Sequence, residues 1–232
     1  MQNGCRYRFE PLSGGLSVAV NETDRVCADA LLLAHFVGAC DGAVCDLGTG
    51  CGVIPLRLLD RGACDAACGV DIRPGAVALL QAAIDRFSLH GRLSAVCADW
   101  SRLSMLPAGG FAGVTANPPY YKEGSGAPPA DPDRRVMRFG APDCFASLCA
   151  AASRLLADSG RLCVCVPPAR WEDLCAAMRG AGLFMSRRRD VLSREGRTFL
   201  CLAEAVKRPV ETAVLPPWDM TDSDFLKELY NE

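Results

Sequence analysis

The sequence has 232 residues, half of them apolar, with a formal net charge of −2 and a pI near 5.8. This length suffices for a substantial core, and the charge excludes a uniformly basic surface, although a local basic patch could still bind nucleic acid. No apolar stretch reaches the ~18 residues of a membrane span, and the start MQNGCRYRFE lacks the apolar centre of a signal peptide. We therefore expect a cytoplasmic protein without membrane association.

Short apolar runs alternate with longer amphipathic segments, a pattern that predicts βαβ units and a mostly parallel sheet. The last two runs, 184–192 and 197–206, read as an antiparallel pair with SREG at the turn. A helix over 28–37 precedes the core, and a terminal helix over 221–230 has Thr221 or Asp222 as its cap. The segment 122–135 has almost nothing to bury and is expected to be a mobile loop. The expected core strands are 43–48, 66–72, 93–99, 111–117 and 161–167, and the expected core helices are 53–61, 74–87, 143–157 and 171–182.

This order predicts a single domain over residues 1–232. Its parts are an N-terminal extension (1–40), a core (41–208) and a C-terminal tail with its helix (209–232).

Fourteen cysteines raise the question of disulfides or a metal site. No C-x-x-C pair occurs, there are two histidines, and most cysteines lie in apolar segments such as RLCVCVPP. Cys163 and Cys165 would share one face of a strand, where small apolar side chains usually pack. We expect reduced cysteines in the core and no metal.

The first βα turn is DLGTGCG (46–52), whose glycines let the backbone turn sharply and let a ligand lie against it. The helix that follows offers free N–H groups. Nicotinamide-binding folds carry G-x-G-x-x-G here, whereas these glycines alternate as G-x-G-x-G behind an acid, Asp46. A carboxylate repels a pyrophosphate but attracts a cationic amino-acid group, which favours S-adenosylmethionine over a dinucleotide.

Acids also end the next two strands. Asp71, in GVDI, follows Gly52 by 19 residues and can accept hydrogen bonds from both hydroxyls of a ribose. Asp99, in CADW, can accept from an adenine amine, with Trp100 or Ile72 covering the purine face. Each acid alone is equally typical of a turn or a helix cap, but three in succession beside a glycine loop indicate a cofactor site.

The succession DLGTGCG, GVDI, CADW and NPPY resembles the class I S-adenosylmethionine-dependent methyltransferases. The resemblance implies a Rossmann-like α/β fold with a seven-stranded, mostly parallel sheet, an antiparallel last strand and helices on both faces. It also implies S-adenosyl-L-methionine as cofactor and S-adenosylhomocysteine as product. The candidate cofactor-binding residues are Asp46, Leu47, Gly48, Gly50, Gly52, Asp71, Ile72, Asp99, Trp100 and Asn117.

NPPY (117–120) supplies the candidate catalytic residues. An amine beside a ring or a carbonyl is a poor nucleophile, and two acceptors on its N–H groups can aim its lone pair at a sulfonium methyl. We expect the Asn117 side-chain oxygen and the Pro118 carbonyl to be these acceptors, Pro119 to help fix the backbone, and Tyr120 to stack on the substrate. Alone, the motif is also typical of a turn at a sheet edge. In this setting, the resemblance implies methyl transfer to nitrogen, either adenine N6 or protein glutamine.

Further segments resemble the bacterial tRNA adenine-N6 methyltransferases that modify the purine beside the anticodon of a valine tRNA. These are LSVAVNETDRVCADALLLAHF, NPPYYKEGSG, RRRDVLSREGRTFLCLAEAVK and TDSDFLKELY. Only ~40 residues precede the glycine loop, which leaves no room for the N-terminal helical domain of glutamine methyltransferases that act on release factors. We therefore expect RNA, with tRNA as the first candidate, to be the partner and substrate.

RNA binding requires cations near the catalytic mouth. Arginines that follow the 122–135 loop or lie in the last hairpin could form a positive rim, or could equally be a solvated face. They are Arg134, Arg135, Arg138, Arg187, Arg188, Arg189, Arg194 and Arg197, with Lys207 and Arg208 nearby. Two hypotheses remain besides the RNA enzyme: a protein glutamine methyltransferase and a non-catalytic RNA- or nucleotide-binding module of the same fold.

Overall fold

The computed structural model describes residues 7–12, 14–122, 139–140 and 143–231. Its centre is a nine-stranded sheet with helices on both faces, which confirms the expected α/β class. The helices are α1 (Ala28–Val37), α2 (Val53–Asp60), α3 (Pro74–Arg86), α4 (Cys144–Leu155), α5 (Trp171–Gly180) and α6 (Ser223–Asn231). The sheet strands are β3 (Ala43–Leu47), β4 (Ala66–Asp71), β5 (Leu93–Cys97), β6 (Phe111–Ala116), β9 (Leu156–Val166), β10 (Phe184–Leu192), β11 (Thr198–Val206), β12 (Ala213–Val214) and β13 (Trp218–Asp219).

The strand order is β12-β10-β11-β9-β6-β3-β4-β5, with β13 also paired to β10. Strands β3 to β6 and β9 are parallel to one another, and β11 runs antiparallel to both β9 and β10. Seven long strands therefore have the expected arrangement, including the antiparallel last strand. The sheet has two more strands than expected because the chain after β11 returns and adds two short segments to β10, which cover the edge of the sheet.

Alternation along the strands divides the core between the two faces of the sheet. Val44 packs with α1, α2 and α3 on one face, whereas Cys45 and Leu47 pack with α4 and α5 on the other. Cys163 and Cys165 share the α1 face, as their spacing predicted. All thirteen cysteines in the described residues are free thiols, and ten of them are buried.

The N-terminal extension contains a hairpin that the sequence analysis did not predict. Its strands β1 (Arg8–Pro11) and β2 (Ser17–Val20) pair antiparallel, and β2 contributes fully buried side chains to the core beside α3. Helix α1 has the predicted bounds. At the other end, Asp222 caps α6, since its Oδ1 accepts hydrogen bonds from the backbone N–H groups of Asp224 and Phe225.

Strand β9 begins at Leu156, five residues earlier than expected. Phe111 lies opposite Leu156 and Gly113 opposite Arg161, so the pairing contains an irregularity that accommodates the extra residues. Gly160 lies there, and a Cβ at this position would be 2.8 Å from the Phe111 carbonyl oxygen. Of the expected loop at 122–135, only the backbone of Lys122 falls within the described residues, in the two-residue strand β7 (Tyr121–Lys122) that pairs with β8 (Phe139–Gly140).

In the part of the chain that the structure describes, no helix combines the length and apolar character that crossing a bilayer requires.

Candidate active site

The four motifs lie at one edge of the sheet, where parallel strands β3, β4, β5 and β6 end. Leu47, the last residue of β3, is paired with Val70 of β4 on one side and with Ala116 of β6 on the other. Asp71 is likewise paired with Cys97 at the end of β5. The glycine loop, GVDI, CADW and NPPY therefore start from adjacent positions, which is where open α/β sheets bind ligands.

The glycine loop is folded back onto the end of β4. The backbone N–H groups of Gly48 and Thr49 both donate to the Val70 carbonyl, at 2.8 and 2.9 Å. Gly48, Gly50 and Gly52 have φ values of 75°, 56° and 88°, a region that other residues adopt only with strain. Gly52 also has no space for a side chain, because a Cβ there would lie 2.4 Å from Leu80 Cδ1. Helix α2 begins directly after this glycine.

Asp46 lies beneath the loop and is 1 % exposed. Its Oδ1 accepts a 2.6 Å hydrogen bond from the Thr115 hydroxyl of neighbouring strand β6. Its Oδ2 has no hydrogen bond among the described residues, although the Thr49 hydroxyl lies close enough to stabilise the carboxylate. Burial raises the pKa of Asp46 to about 6, and the hydroxyls of Thr115 and Thr49 oppose this shift. A buried carboxylate oxygen without a partner suits a cationic ammonium, such as that on the methionine part of S-adenosylmethionine.

Asp71 is buried and already engaged. Its Oδ2 accepts the Gly50 N–H at 2.8 Å, and its Oδ1 accepts the Arg73 N–H at 2.9 Å. The Arg73 guanidinium in turn makes a two-pronged contact with Asp24, at 2.8 and 3.1 Å, with both side chains at most 7 % exposed. Two carboxylate oxygens offer about four acceptor positions, so Asp71 keeps limited capacity for ribose hydroxyls.

The three candidate adenine contacts differ in their surroundings. Ile72 is 54 % exposed and presents an apolar side chain beside Asp71. Asp99 caps the short 3-10 helix at 100–102, since its Oδ1 accepts from both the N–H and the hydroxyl of Ser101. The Trp100 ring lies against Gly48 and donates from Nε1 to the Ser147 hydroxyl at 3.1 Å, so it packs between the loop and α4. One oxygen of Asp99 therefore caps a helix, which was the alternative to a cofactor contact.

The Asn117 side chain is part of a polar cluster with Tyr120. Its Oδ1 accepts a 2.5 Å hydrogen bond from the Tyr120 hydroxyl and lies 3.3 Å from Cys165 Sγ. The same hydroxyl lies 3.1 Å from Asp29 Oδ2, on helix α1. Burial holds the pKa of Tyr120 well above its ordinary value, so the phenol is neutral.

The backbone of NPPY is held from the opposite face of the sheet. Pro118 is buried and Pro119 half-buried. Arg170 donates from Nη1 to the Tyr120 carbonyl at 2.5 Å, and its guanidinium lies 4.4 Å from the centre of the Phe145 ring. Arg170 Nε also donates a hydrogen bond to Asp173 Oδ2 at 2.9 Å.

Of the six described arginines that were expected to form a positive rim, three are engaged within the fold. Arg187 pairs with Glu204, Arg188 pairs with Asp190 and stacks on Trp171 at 4.2 Å, and Arg189 stacks on Trp218 at 4.5 Å. The Lys207 ammonium donates to the Leu156 carbonyl at 2.6 Å. The exposed members are Arg194, Arg197 and Arg208, whereas Arg134, Arg135 and Arg138 lie outside the described residues.

Five residues at this edge were not identified as site residues from the sequence: Asp24, Asp29, Arg73, Thr115 and Arg170. Asp24 and Asp29 belong to the N-terminal extension, and only the folded chain shows that this segment reaches the cofactor loop and NPPY. Only Thr115 could have been identified from the sequence, because a polar residue in the interior of a parallel strand usually forms a hydrogen bond to a buried partner.

A glycine loop, a buried acid with one oxygen free of hydrogen bonds, and a sheet with an antiparallel last strand define a class I S-adenosylmethionine-dependent methyltransferase. The comparisons agree. Residues 20–130, just under half of the chain, match the family model described as "Methyltransferase small domain".

Two curated relatives and one solved structure indicate the range of similar proteins. A tRNA1(Val) (adenine(37)-N6)-methyltransferase from Tolumonas auensis is 27% identical over 73% of this chain and 70% of its own. A release factor glutamine methyltransferase from Rhodospirillum rubrum is 32% identical over 72% of this chain, which spans only 52% of that relative. A predicted O-methyltransferase from Agrobacterium tumefaciens has the same fold, with a TM-score of 0.61, 18% identity and coverage of 88% of this chain and 95% of its own.

Proposed function

We propose that this protein is a cytoplasmic RNA methyltransferase that transfers the methyl group of S-adenosylmethionine to the N6 amine of an adenine, with tRNA beside the anticodon as its substrate. The observation that carries the proposal is the position of Asn117. Its carboxamide follows β6, whose last residue Ala116 pairs with Leu47 at the start of the glycine loop. An acceptor for an amine thus lies next to the expected methyl donor.

The cofactor residues have distinct roles in this proposal. Asp46 Oδ2 binds the ammonium of the methionine part of the cofactor. Gly48 and Gly50 let the backbone of the loop lie close to this methionine part. Leu47 and Gly52 shape the two ends of the loop. Asp71 accepts from the ribose. The adenine of the cofactor would lie between Ile72 and the Asp99–Trp100 segment, where the second oxygen of Asp99 would accept a hydrogen bond from the amine of that adenine. When bound, S-adenosylmethionine supplies an electrophilic methyl group on a sulfonium.

The acceptor residues then act on the target nitrogen. The N6 lone pair of adenine is delocalised into the ring, so the amine is weakly nucleophilic. Asn117 Oδ1 and the Pro118 carbonyl accept its two N–H groups, which favours tetrahedral geometry and directs the lone pair at the methyl group. Pro119 restricts the backbone, and the Tyr120 ring stacks on an adenine flipped out of the RNA. The reaction requires no metal, and the proton is lost after transfer.

The similarity to tRNA adenine-N6 methyltransferases supports RNA as the acceptor, with matches over 73% and 82% of the chain. The similarity to a release factor glutamine methyltransferase, at 32% identity, supports protein glutamine as the second candidate. An amide nitrogen is delocalised in the same way as N6, so NPPY suits both.

The test is a methylation assay with labelled S-adenosylmethionine and two substrates, total tRNA and purified release factors. We expect label in tRNA, recovered as N6-methyladenosine at a nucleotide beside the anticodon. Label confined to glutamine of the release factor would establish the second candidate. No label in either substrate, from protein that binds S-adenosylmethionine, would favour the non-catalytic binding module.

A further inference from the structure

The Tyr120 hydroxyl has one proton and too many acceptors. It lies 2.5 Å from Asn117 Oδ1, 3.1 Å from Asp29 Oδ2 and 3.4 Å from Cys165 Sγ. A phenol donates a single hydrogen bond, so Asn117 and Asp29 compete for the same proton. One of these acceptors belongs to the motif that is proposed to orient the substrate, and the other to helix α1.

The competition affects the oxygen that the target amine needs. Asn117 Oδ1 has two lone pairs, and Tyr120 and Cys165 both lie within reach of it. A thiol is a weak donor that an amine can displace, whereas a phenol hydrogen bond of 2.5 Å is not displaced unless its proton finds another acceptor. Asp29 provides that acceptor, since a hydrogen bond to a carboxylate is stronger than one to an amide oxygen.

We propose that Asp29 is a positioning residue: it takes the proton of Tyr120 and thereby leaves Asn117 Oδ1 available to the target amine. This inference rests on the proposed role of NPPY in binding an amine, but not on whether that amine is adenine N6 or glutamine. Asp29 acts only through the Tyr120 hydroxyl and does not contact the substrate.

The ionisation of Asp29 sets the direction of the effect. Burial raises the pKa of Asp29, and the hydrogen bond from Tyr120 opposes the shift. Protonated Asp29 would donate to the Tyr120 oxygen and turn the phenol proton towards Asn117, so the reaction should slow at acid pH. The other titratable groups that face Asp29 are the phenol of Tyr120 and the thiols of Cys27 and Cys165, whose pKa values are all raised, so they stay neutral in this range.

A double-mutant cycle on kcat tests the proposal, with S-adenosylmethionine saturating and whichever acceptor the wild type methylates. Asp29→Ala should lower kcat about ten- to a hundredfold when Tyr120 is present, because the phenol proton then stays on Asn117. In the Y120F background, the same change should lower kcat less than about threefold, because no proton competes. Equal losses in the two backgrounds would overturn the proposal.

Asp29→Asn is the conservative variant, since it keeps the shape and an acceptor oxygen but cannot ionise. We expect its kcat to lie between those of the wild type and D29A. Its pH profile should also lack the decrease of kcat at acid pH that the wild type shows. An acid limb that D29N retains would assign the titration to another group and contradict the proposed direction. Melting temperature and affinity for S-adenosylmethionine, both expected to change little, separate this effect from misfolding.

A readout without turnover keeps the inference separate from the proposed function. Carboxyl carbon NMR of labelled aspartates reports the pKa of Asp29 in the wild type and in Y120F. Removal of the hydroxyl should raise that pKa, because the carboxylate loses its donor. An unchanged pKa would overturn the Asp29–Tyr120 coupling even for an active methyltransferase, whereas a raised pKa in a protein that methylates neither acceptor would leave the coupling standing and reject the proposed function.

Discussion

The carboxylate of Asp71 accepts the Gly50 N–H at 2.8 Å, so the acid at the end of β4 and the glycine loop after β3 form one hydrogen-bonded unit. Arg73 extends this unit to Asp24, in the segment between β2 and α1. The N-terminal extension is therefore attached to the candidate cofactor site by a buried ion pair, and changes in that segment should affect cofactor binding.

Asp24→Ala should destabilise the protein by about 3 kcal/mol, since it leaves the buried Arg73 guanidinium without its main partner. We also expect weaker binding of S-adenosylmethionine, because Arg73 would shift towards Asp71. Urea unfolding and calorimetric titration measure the two effects. The control is Glu10→Ala, which removes the exposed pair with Arg8 and should cost less than ~1 kcal/mol. A loss in D24A no larger than that in E10A would show that the buried pair contributes little.

Gly52→Ala should cost about 2–4 kcal/mol, because φ at 88° strains any other residue and the new methyl group would meet Leu80. The matched control is Gly62→Ala, with φ at 63° but open space around the Cβ, which should cost only about 1–2 kcal/mol. Chemical unfolding of both variants measures the difference. Affinity for S-adenosylmethionine should fall in G52A alone, and an equal fall in G62A would contradict the role given to the loop.

The raised pKa of Asp46, about 6 against 3.8, makes stability depend on pH. The group is protonated more readily in the folded state, so its contribution is fully present below pH ~4 and is lost as pH rises through ~6, by about 3 kcal/mol in all. Affinity for S-adenosylmethionine should change in the opposite direction and increase through the same range, because only ionised Asp46 attracts the ammonium.

Asp46→Asn tests both statements, because it removes the titration and keeps the shape. Unfolding at pH 5 and pH 8, with and without S-adenosylmethionine, should show a smaller pH dependence in the variant and weaker binding at pH 8. If D46N retains the pH dependence of the wild type in both measurements, another group is responsible.

Asn117→Ala should lower kcat at least about a hundredfold, as expected when a positioned acceptor is removed from a site of this kind. Binding of S-adenosylmethionine should stay within about tenfold of the wild type, because the proposed role of the Asn117 side chain is to accept a hydrogen bond from the target amine. Asn117→Asp keeps an acceptor oxygen and should retain more turnover than the alanine variant. Rapid turnover by N117A would show that the amine is oriented by other groups.

Arg170→Ala should lower kcat about tenfold with little effect on affinity for S-adenosylmethionine, since it releases the carbonyl of Tyr120 and the stacking on Phe145. Arg179→Ala removes an exposed arginine of helix α5, which begins directly after Arg170, and is the control. Steady-state kinetics on the methylated acceptor separates kcat from KM. Similar kcat values for R170A and R179A would mean that the NPPY backbone keeps its position without Arg170.

The sequence was most informative where local pattern and topology coincide. The bounds of α1 and α2 and of the strands β3 to β6 follow from apolar runs and the glycines that end them. The observed bounds differ from the predicted ones by two residues or fewer. The early start of β9 was not predictable, because Leu156 and Ala157 read as the end of a helix and 158–160 as a connection, and this segment becomes strand only through pairing with β6. The hairpin β1–β2 was missed for a similar reason, since its burial depends on α3.

The candidate site divides in the same way. The sequence by itself determined the class I fold, the glycine loop, the acids after the strands and NPPY, because these depend on residue types within a few positions of a strand end. Only the tertiary structure decided which of these groups already have partners. Distant residues contact several of them: Gly50 donates to Asp71, Cys165 lies beside Asn117, and Glu204 pairs with Arg187 of β10, whereas Asp46 Oδ2 has no hydrogen bond among the described residues. The physical reason is that hydrogen bonds and ion pairs depend on distance in space, and the chain between Asp29 and Tyr120 must fold before their side chains can share a proton.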